Sequence, residues 1–495
     1  MKQIMKQHKL IFGGLLALSL FTMSGCTKDF KETNTDPNRM PEARPELLLE
    51  SAIYSAVKAN QTRALRLTHE LMQVHVTTIN SDEIHRYIIR PSESDYMWNA
   101  WYLQMTNFRD MYETAKKLRN LPNQTYYDSY MGMALIMDTW LASLATDTYG
   151  DVPYTDANKG RSDNLYQPTF DRQQVIYDSM FHKLEEANTL LAQNIALPAA
   201  NLVRDPLFAG NISQWRKFGN SLYLRLLLRA SDRPESNAVV KIKEICETNT
   251  ALYPLMNSNA ESAVLRFTTT APFVSAFNTY RDYDFNGDNG LTQFFINTLN
   301  NWADPRLTKW ANTVGGVYEG IPSGYAPGQQ PERMSSYNAA LKNEPLLGNI
   351  LNYAEVQFML AEASLKGYFN GTSQTYYNNG VNNAITFWGL AVPVDHLLNP
   401  AITWVDAETT EQKMEKIITQ KYFTLFFTDF QSWYEHRRTG YPVLPVGPGV
   451  QNNGEMPARL QYPVSVQSLN RTNYDAAVSA MGGDQINVKV WWQKD

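Results

Sequence analysis

Apolar residues recur along this chain at helical spacing over most of its length. Tyr127, Tyr130, Ala134, Met137, Leu141 and Leu144 step alternately by three and four, which lines one face of a helix. Leu351, Ala354, Phe358, Ala361 and Leu365 repeat the pattern. The same period runs through 47–76, 96–118, 175–191, 215–228, 376–387 and 414–426. Several of these segments fall in pairs separated by short polar turns. The pair around Gly367, with Ala361 and the Tyr376-Tyr377 step, has the form of a degenerate helical hairpin of the tetratricopeptide type, without a strict repeat length. Residues 147–168, 250–349 and 440–473 break the period. The first is turn-rich, and the second mixes a strand-like run at 263–267 with Gly, Pro and Asn. Such long irregular stretches belong on a scaffold as structured loops, where binding usually resides. The pattern predicts a mainly α protein with little β, about 45–50% helix against a globular average of ~30–35%. No linker divides residues 47–495, so they are expected to fold as one domain.

The start of the chain differs. Lys2, Lys6 and Lys9 precede an apolar run from Leu10 that ends in Met23-Ser24-Gly25-Cys26. The run is short of the ~20 residues a bilayer core requires. It reads as a secretory signal, residues 1–25, that is removed. The cleavage site resembles a bacterial lipobox, in which the cysteine (here Cys26) is lipidated on its sulfur and becomes residue one. Residues 26–46 then form a polar, proline-bearing tether. Lys28-Asp29 resembles the short surface-export signal of some outer-membrane lipoproteins. Loss of the three leader lysines takes the formal charge from −5 to −8, which argues against a nucleic-acid binder. Cys246 is the one cysteine after Cys26, so the exported chain holds no internal disulfide and depends on its core. Twenty-eight Tyr and eleven Trp supply either core or stacking platforms for sugars and apolar contacts for peptides.

Ordered local patterns then resemble the SusD/RagB family, in its SusD-like branch. They are the lipobox at Cys26, Asn34-Thr-Asp-Pro-Asn38, Asp147-Thr-Tyr-Gly-Asp-Val-Pro-Tyr154, Asp304-Pro-Arg-Leu307, Tyr353-Ala-Glu-Val with Ala361-Glu-Ala363, Trp433-Tyr-Glu-His-Arg-Arg-Thr-Gly-Tyr-Pro442, Arg459-Leu-Gln-Tyr-Pro463 and Asn470. The resemblance implies a SusD-like fold of four divergent tetratricopeptide-type helical pairs carrying irregular loops. It implies a lipid-anchored protein of the outer membrane, facing the cell exterior. There it would capture a nutrient as the lid of a TonB-dependent, SusC-like transporter. It also places Tyr283, Trp302 and Tyr318 in the region of the family's ligand-binding loops.

The residues themselves offer further candidates. Trp98, Trp101 and Tyr102, at i, i+3 and i+4, share a helix face that is either core or a ligand platform. The polar stretch 77–94, with His85, Arg86 and Tyr87, is expected to form an exposed rim. Asp282, Asp284, Asn286 and Asp288 match the opening of a calcium loop, but Gln293 stands where a bidentate Glu belongs, so either a weak calcium site or an Asn/Asp/Gly turn is expected. Arg437 and Arg438 are expected to pair with acids or loop carbonyls. Asp147 and Asp151 read as turn residues rather than an acid/base pair. There is no G-x-S-x-G, H-E-x-x-H, phosphate-cradling loop or two-cysteine zinc cluster, and the spacings of His69, His75 and His85 are not those of a ligand set. The chain is therefore read as a non-enzyme with no required cofactor and with calcium as the one candidate ion. Its expected ligand is an oligosaccharide, since Trp and Asn occur together at 98–101 and 297–310. The alternatives are an oligopeptide, a surface-attached hydrolase and a structural lid without ligand affinity.

Overall fold

The apolar periods fold into helices close to their expected bounds, except that the 47–76 stretch stops being helical at Leu71 and ends in a strand from His75. The helices are α1 (Pro45–Arg63), α2 (Ser92–Leu118), α3 (Tyr127–Tyr149), α4 (Gln173–Ala192), α5 (Ile212–Ala230), α7 (Tyr353–Leu365), α8 (Ser373–Phe387) and α9 (Thr410–Thr424). Shorter helices that the longer periods do not cover are α6 (Gln293–Asn301), α10 (Gln431–Thr439) and α11 (Arg471–Met481). The computed structural model describes residues 44–79, 83–286 and 288–493, without the side chains of Arg161 and Tyr283. The signal, Cys26 and nearly all of the tether lie outside the described residues. Helix makes up 56% and strand 5%, more helix than the periodicity alone predicted. Among the described residues no helix is long and apolar enough to cross a membrane.

Local chemistry sets the helix ends. Pro45 opens α1, where its missing N–H costs nothing. The Asn352 side chain accepts from Glu355 N at 2.9 Å to cap α7, and Thr409 with Gln412 forms a capping box on α9. Gly367, at φ +73°, makes the turn between α7 and α8. Gly380 then lets the two helices close, since a Cβ there would lie 2.7 Å from the Phe358 ring. Helices α1 to α5 pack each against the next, and α7 packs on α8 and α9. Strand is confined to two antiparallel pairs: β1 (His75–Thr77) with β3 (Asn289–Leu291), and β2 (Ala263–Val264) with β4 (Asn349–Leu351). From Arg44 onward the chain forms one compact unit.

Helix α3 departs from its expected amphipathic form, because every residue from Tyr127 to Tyr149 is buried. Neighbours α1, α2, α4 and α5 surround it, so its polar residues must find partners inside. Asp147 accepts from Arg229 of α5 at 2.6 Å. Arg229 also donates to Gln431 at 2.7 Å and Glu435 at 3.0 Å on α10. Glu435 takes Lys421 of α9 at 2.8 Å and Arg438 at 2.7 Å. Arg438 reaches on to Glu362 of α7. One ionic chain thus ties five helices. Burial raises the carboxyls of Glu362 and Glu435, but their cations override it, holding Glu362 at about 2 and Glu435 well below the usual range. Arg437 meets carbonyls instead, those of Ala458 and Asp147, both at 2.6 Å. Its guanidinium lies 4.3 Å from the Trp433 ring centre.

A second buried cluster fastens the irregular segments to the bundle. After α1 a π-helical stretch, Ala64–Thr68, delivers His69. The Phe427 amide approaches His69 Nε2 at 3.4 Å, so that nitrogen accepts and Nδ1 carries the proton. Nδ1 then donates to the Tyr337 hydroxyl at 2.8 Å, and that hydroxyl donates to His75 Nδ1 at 2.7 Å. Burial holds His69 at about 3 and, with His69, Arg66 and His85 adding to it, holds His75 well below its usual value. The unfolded chain protonates both near pH 6.5, whereas the folded chain does not. Stability is therefore full above that pH and lost as pH falls towards 3. His436, held at about 4 by burial, adds to the loss. Asp429, pushed up to about 6 by burial, opposes it, because its folded form gains a proton that the unfolded form lacks. The net expectation is a loss of roughly 2–4 kcal/mol between pH 7 and pH 5, read as a fall in the urea midpoint. A midpoint independent of pH over that range would contradict it.

Candidate ligand-binding groove

Two of the irregular stretches come together over one end of α2. The turn after α3 is set by acids: Asp151 Oδ1 accepts from Gln173 N at 2.8 Å, and Asp171 Oδ2 accepts from the amides of Tyr154 and Thr155 at 3.0 and 2.8 Å. Asp147, fully buried against Arg229, is a structural anchor. Further along, Asn470 Nδ2 donates to Pro168 O at 2.7 Å and Gln167 Nε2 donates to Leu469 O at 2.9 Å. Amide side chains thus stitch the segment before Pro168 to the helix Val464–Leu469.

Between them is a groove of about 230 Å³ with Trp98, Tyr102 and Tyr166 in its lining, along with Pro168, Val466 and Leu469. Trp98 and Tyr102 stand one helical turn apart with ring centres at 4.8 Å. Tyr149 and Tyr462 back the indole edge-on at 5.1 and 6.1 Å, which fixes its plane. The Tyr102 hydroxyl donates to Pro153 O at 2.6 Å, and burial raises it well above its usual value, so it stays protonated. Tyr166 is 75% exposed and offers an open ring at the rim. Asn158 and Asn470 also line it, but Asn470 is buried with Nδ2 on Pro168 O and Oδ1 accepting from Asn473, and Asn158 Nδ2 donates to Tyr102 O at 3.4 Å. Such a surface can stack a flat apolar face.

The residues singled out in the sequence do not gather at one place. Trp101 is fully buried, donating to Asn60 Oδ1 at 2.8 Å with its ring 5.5 Å from Phe430, so it is a core side chain; Trp98, at 9% exposure, is also largely core, and it borders the groove with the half-buried Tyr102. Within the 77–94 stretch expected to form an exposed rim, His85, Arg86 and Tyr87 are all buried, whereas Ile79, Ile88 and residues 90–92 are exposed. Loops from elsewhere cover His85 and Arg86: Gly324 N donates to His85 Nδ1 at 3.2 Å, the Tyr325 ring lies 4.5 Å from the imidazole, and Gln451 N donates to Arg86 O at 2.8 Å. Tyr318 is half-buried, and its carbonyl accepts from Asn300 at 3.5 Å. Trp302 is 6% exposed, packs edge-on to Phe423 at 5.0 Å and borders a separate cavity with Tyr377. The Tyr283 side chain lies outside the described residues.

The calcium-loop sequence begins as a short helix, Asp282–Asn286. Asp282 pairs with Lys342, Asp284 takes Arg281 at 2.7 and 2.8 Å, and Asn286 donates to Tyr337 O at 2.8 Å. Asp288 lies 3.7 Å from Arg66, and Gln293 begins α6. A metal here would have to displace these partners. Among the described residues no group of three or more His, Cys, Asp or Glu side chains is arranged to hold one. The sequence did not reveal Tyr166, Asn158, Pro168 or Val466 as groove residues. Their one shared signal is their place in the irregular stretches 147–168 and 440–473.

Residues 37–463 match the profile of a SusD-like family described as starch-binding and associating with the outer membrane. No curated protein sequence matches the chain. A SusD homologue from Bacteroides fragilis NCTC 9343 is 25% identical, with a TM-score of 0.75 over 92% of this chain and 100% of its own. One from Bacteroides uniformis ATCC 8492 is 24% identical, with a TM-score of 0.78 over 91% and 99%. A chitin-binding SusD homologue from Flavobacterium johnsoniae is 20% identical, with a TM-score of 0.77 over 90% and 98%. These structures share the fold of α1 to α11, and the profile covers all but the ends of the chain. The chain belongs to the SusD-like family.

Proposed function

We propose that this protein is an outer-membrane lipoprotein, anchored at Cys26 and facing the cell exterior. It captures an oligosaccharide and passes it to a SusC-like, TonB-dependent transporter. The observation that carries the ligand class is the groove lined by Trp98, Tyr102 and the open Tyr166 ring. Sugar rings stack their C–H faces on aromatic side chains. The chitin-binding relative supports the same class. Binding rather than hydrolysis is the reading that the family description and the chitin-binding relative support.

Replacing Tyr166 tests this reading. At 75% exposure the ring contributes little to packing, so Tyr166→Ala should leave the melting temperature unchanged. Loss of one stacking face should weaken oligosaccharide binding by about threefold to tenfold in titration calorimetry. Full affinity in the variant would show that the sugar binds elsewhere.

A further inference from the structure

Across the wall formed by Ala157 and Asn158, a second cavity of about 690 Å³ opens between α2, α3 and α4. That volume falls within the range of roughly 300–1,000 Å³ typical of small-ligand sites. Its floor is ionic. Asp138 of α3 is buried, with Arg109 Nε of α2 at 2.9 Å from Oδ1 and Lys183 Nζ of α4 at 2.6 Å from Oδ2. Tyr154 lies against both cations, its ring centre 4.9 Å from the Arg109 guanidinium and 4.6 Å from Lys183 Nζ. Burial would raise the Asp138 carboxyl, but the two cations override it and hold it at about 2, so all three groups stay charged.

One carboxylate therefore faces two cations, and the floor keeps one positive charge. Arg109 ties α2 and Lys183 ties α4 to the same carboxylate, which balances only one of the two charges. Arg109 spends Nε on Asp138 and Nη1 on the carbonyls of Tyr154 and Ala157, at 3.0 and 3.1 Å. No hydrogen bond from its Nη2 is found among the described residues. Lys183 spends one N–H on Asp138. Both side chains remain partly exposed, at 22% and 27%. The rim is mixed in sign. Asp110, Glu113 and Glu186 are set against Lys117 and Lys159, the Tyr112 hydroxyl donates to Glu186 at 2.6 Å, and Lys159 pairs with Asp156. Arg109 and Lys183 are the cations that Asp138 holds in place within this mixed lining.

We propose that this cavity binds a ligand through a carboxylate, which accepts from Arg109 Nη2 and Lys183 Nζ. A guanidinium arm and an ammonium side by side suit a planar anion, and charge-assisted hydrogen bonds of this kind are stronger than neutral ones. Uronic-acid sugars and peptide C-termini both supply that group. The inference concerns a different cavity from the aromatic groove and stands independently of it.

The test is calorimetry on the full chain in detergent with two matched pairs of probes. One pair is a trigalacturonate and its neutral trigalactose counterpart, and the other is a tetrapeptide and its C-terminal amide. At least one acid form should bind, and its uncharged counterpart should bind about tenfold more weakly or not at all. The pair that responds identifies the source of the carboxylate. Lys183→Gln should weaken the acid form about tenfold, Lys183→Arg should restore it, and added salt should weaken it in the wild type. Lys183→Gln should leave neutral oligosaccharide binding in the groove unchanged, and Tyr166→Ala should leave the acid form unchanged, so the two sites fail separately. Equal binding of acid and uncharged forms, no effect of Lys183→Gln on the acid form, or no heat from either acid form would overturn the proposal.

Discussion

Replacing Glu435 with glutamine should destabilise the protein by about 3–5 kcal/mol, the typical cost of leaving buried charges without their counter-ion. Arg229, Lys421 and Arg438 all converge on this carboxylate. Arg229 keeps Asp147, and Arg438 keeps Glu362. Among the described residues Lys421 pairs with no second acid, and its side chain is only 1% exposed. The glutamine matches the shape of the glutamate, so the loss isolates charge from packing. Urea unfolding of the two proteins measures it. The exposed pair Arg471–Asp475 is the control, since Asp475→Asn at a solvated ion pair should not move the midpoint measurably. Equal effects at the two sites would mean that the buried chain does not hold the helices together.

Replacing Trp302 with alanine should cost a similar amount, about 3–5 kcal/mol, for loss of a buried indole and the void it leaves. The ring is 6% exposed, lies 5.0 Å from Phe423 of α9 and forms part of the wall of a cavity of about 340 Å³ with Tyr377 of α8. Its loss would loosen the contact between the irregular segment and the α8–α9 layer. A melting curve of Trp302→Ala should shift far more than one of Tyr166→Ala. If instead Trp302→Ala melted like the wild type and lost ligand affinity, this residue would belong to the binding surface and the groove at Trp98 would not be the main site.

The helices were legible because their apolar period is a local property. Burial of their polar positions was not, as α3 demonstrates. Its stripe from Tyr127 to Leu144 correctly marked a helix. Asp138 within the stripe and Asp147 just past it are also inside, because Arg109, Lys183 and Arg229 come from helices the sequence does not place. The same limit governed the candidate sites. Trp98 and Tyr102 were visible as a helical pair, whereas Tyr166 and Asn470 join them only through the hydrogen bonds that fasten Pro168 and Gln167 to the 464–470 segment. His85 looked exposed because its neighbours in sequence are polar, yet Gly324, Tyr325 and Gln451 cover it from loops far along the chain. The D-x-D-x-N-G spelling suggested a metal loop, but Arg281 and Lys342 occupy its carboxylates and the backbone turns as helix. Spelling fixes which groups are near in sequence, and competing partners decide what those groups do.

The most direct measurement of the central claim is calorimetry of the full chain in detergent against one panel of neutral oligosaccharides and one of oligopeptides. The account predicts heat with an oligosaccharide at a dissociation constant between micromolar and millimolar, about −4 to −8 kcal/mol. Affinity in that range lets a capture protein release its cargo to a transporter. Heat from oligopeptides alone, or silence from both panels, would contradict it.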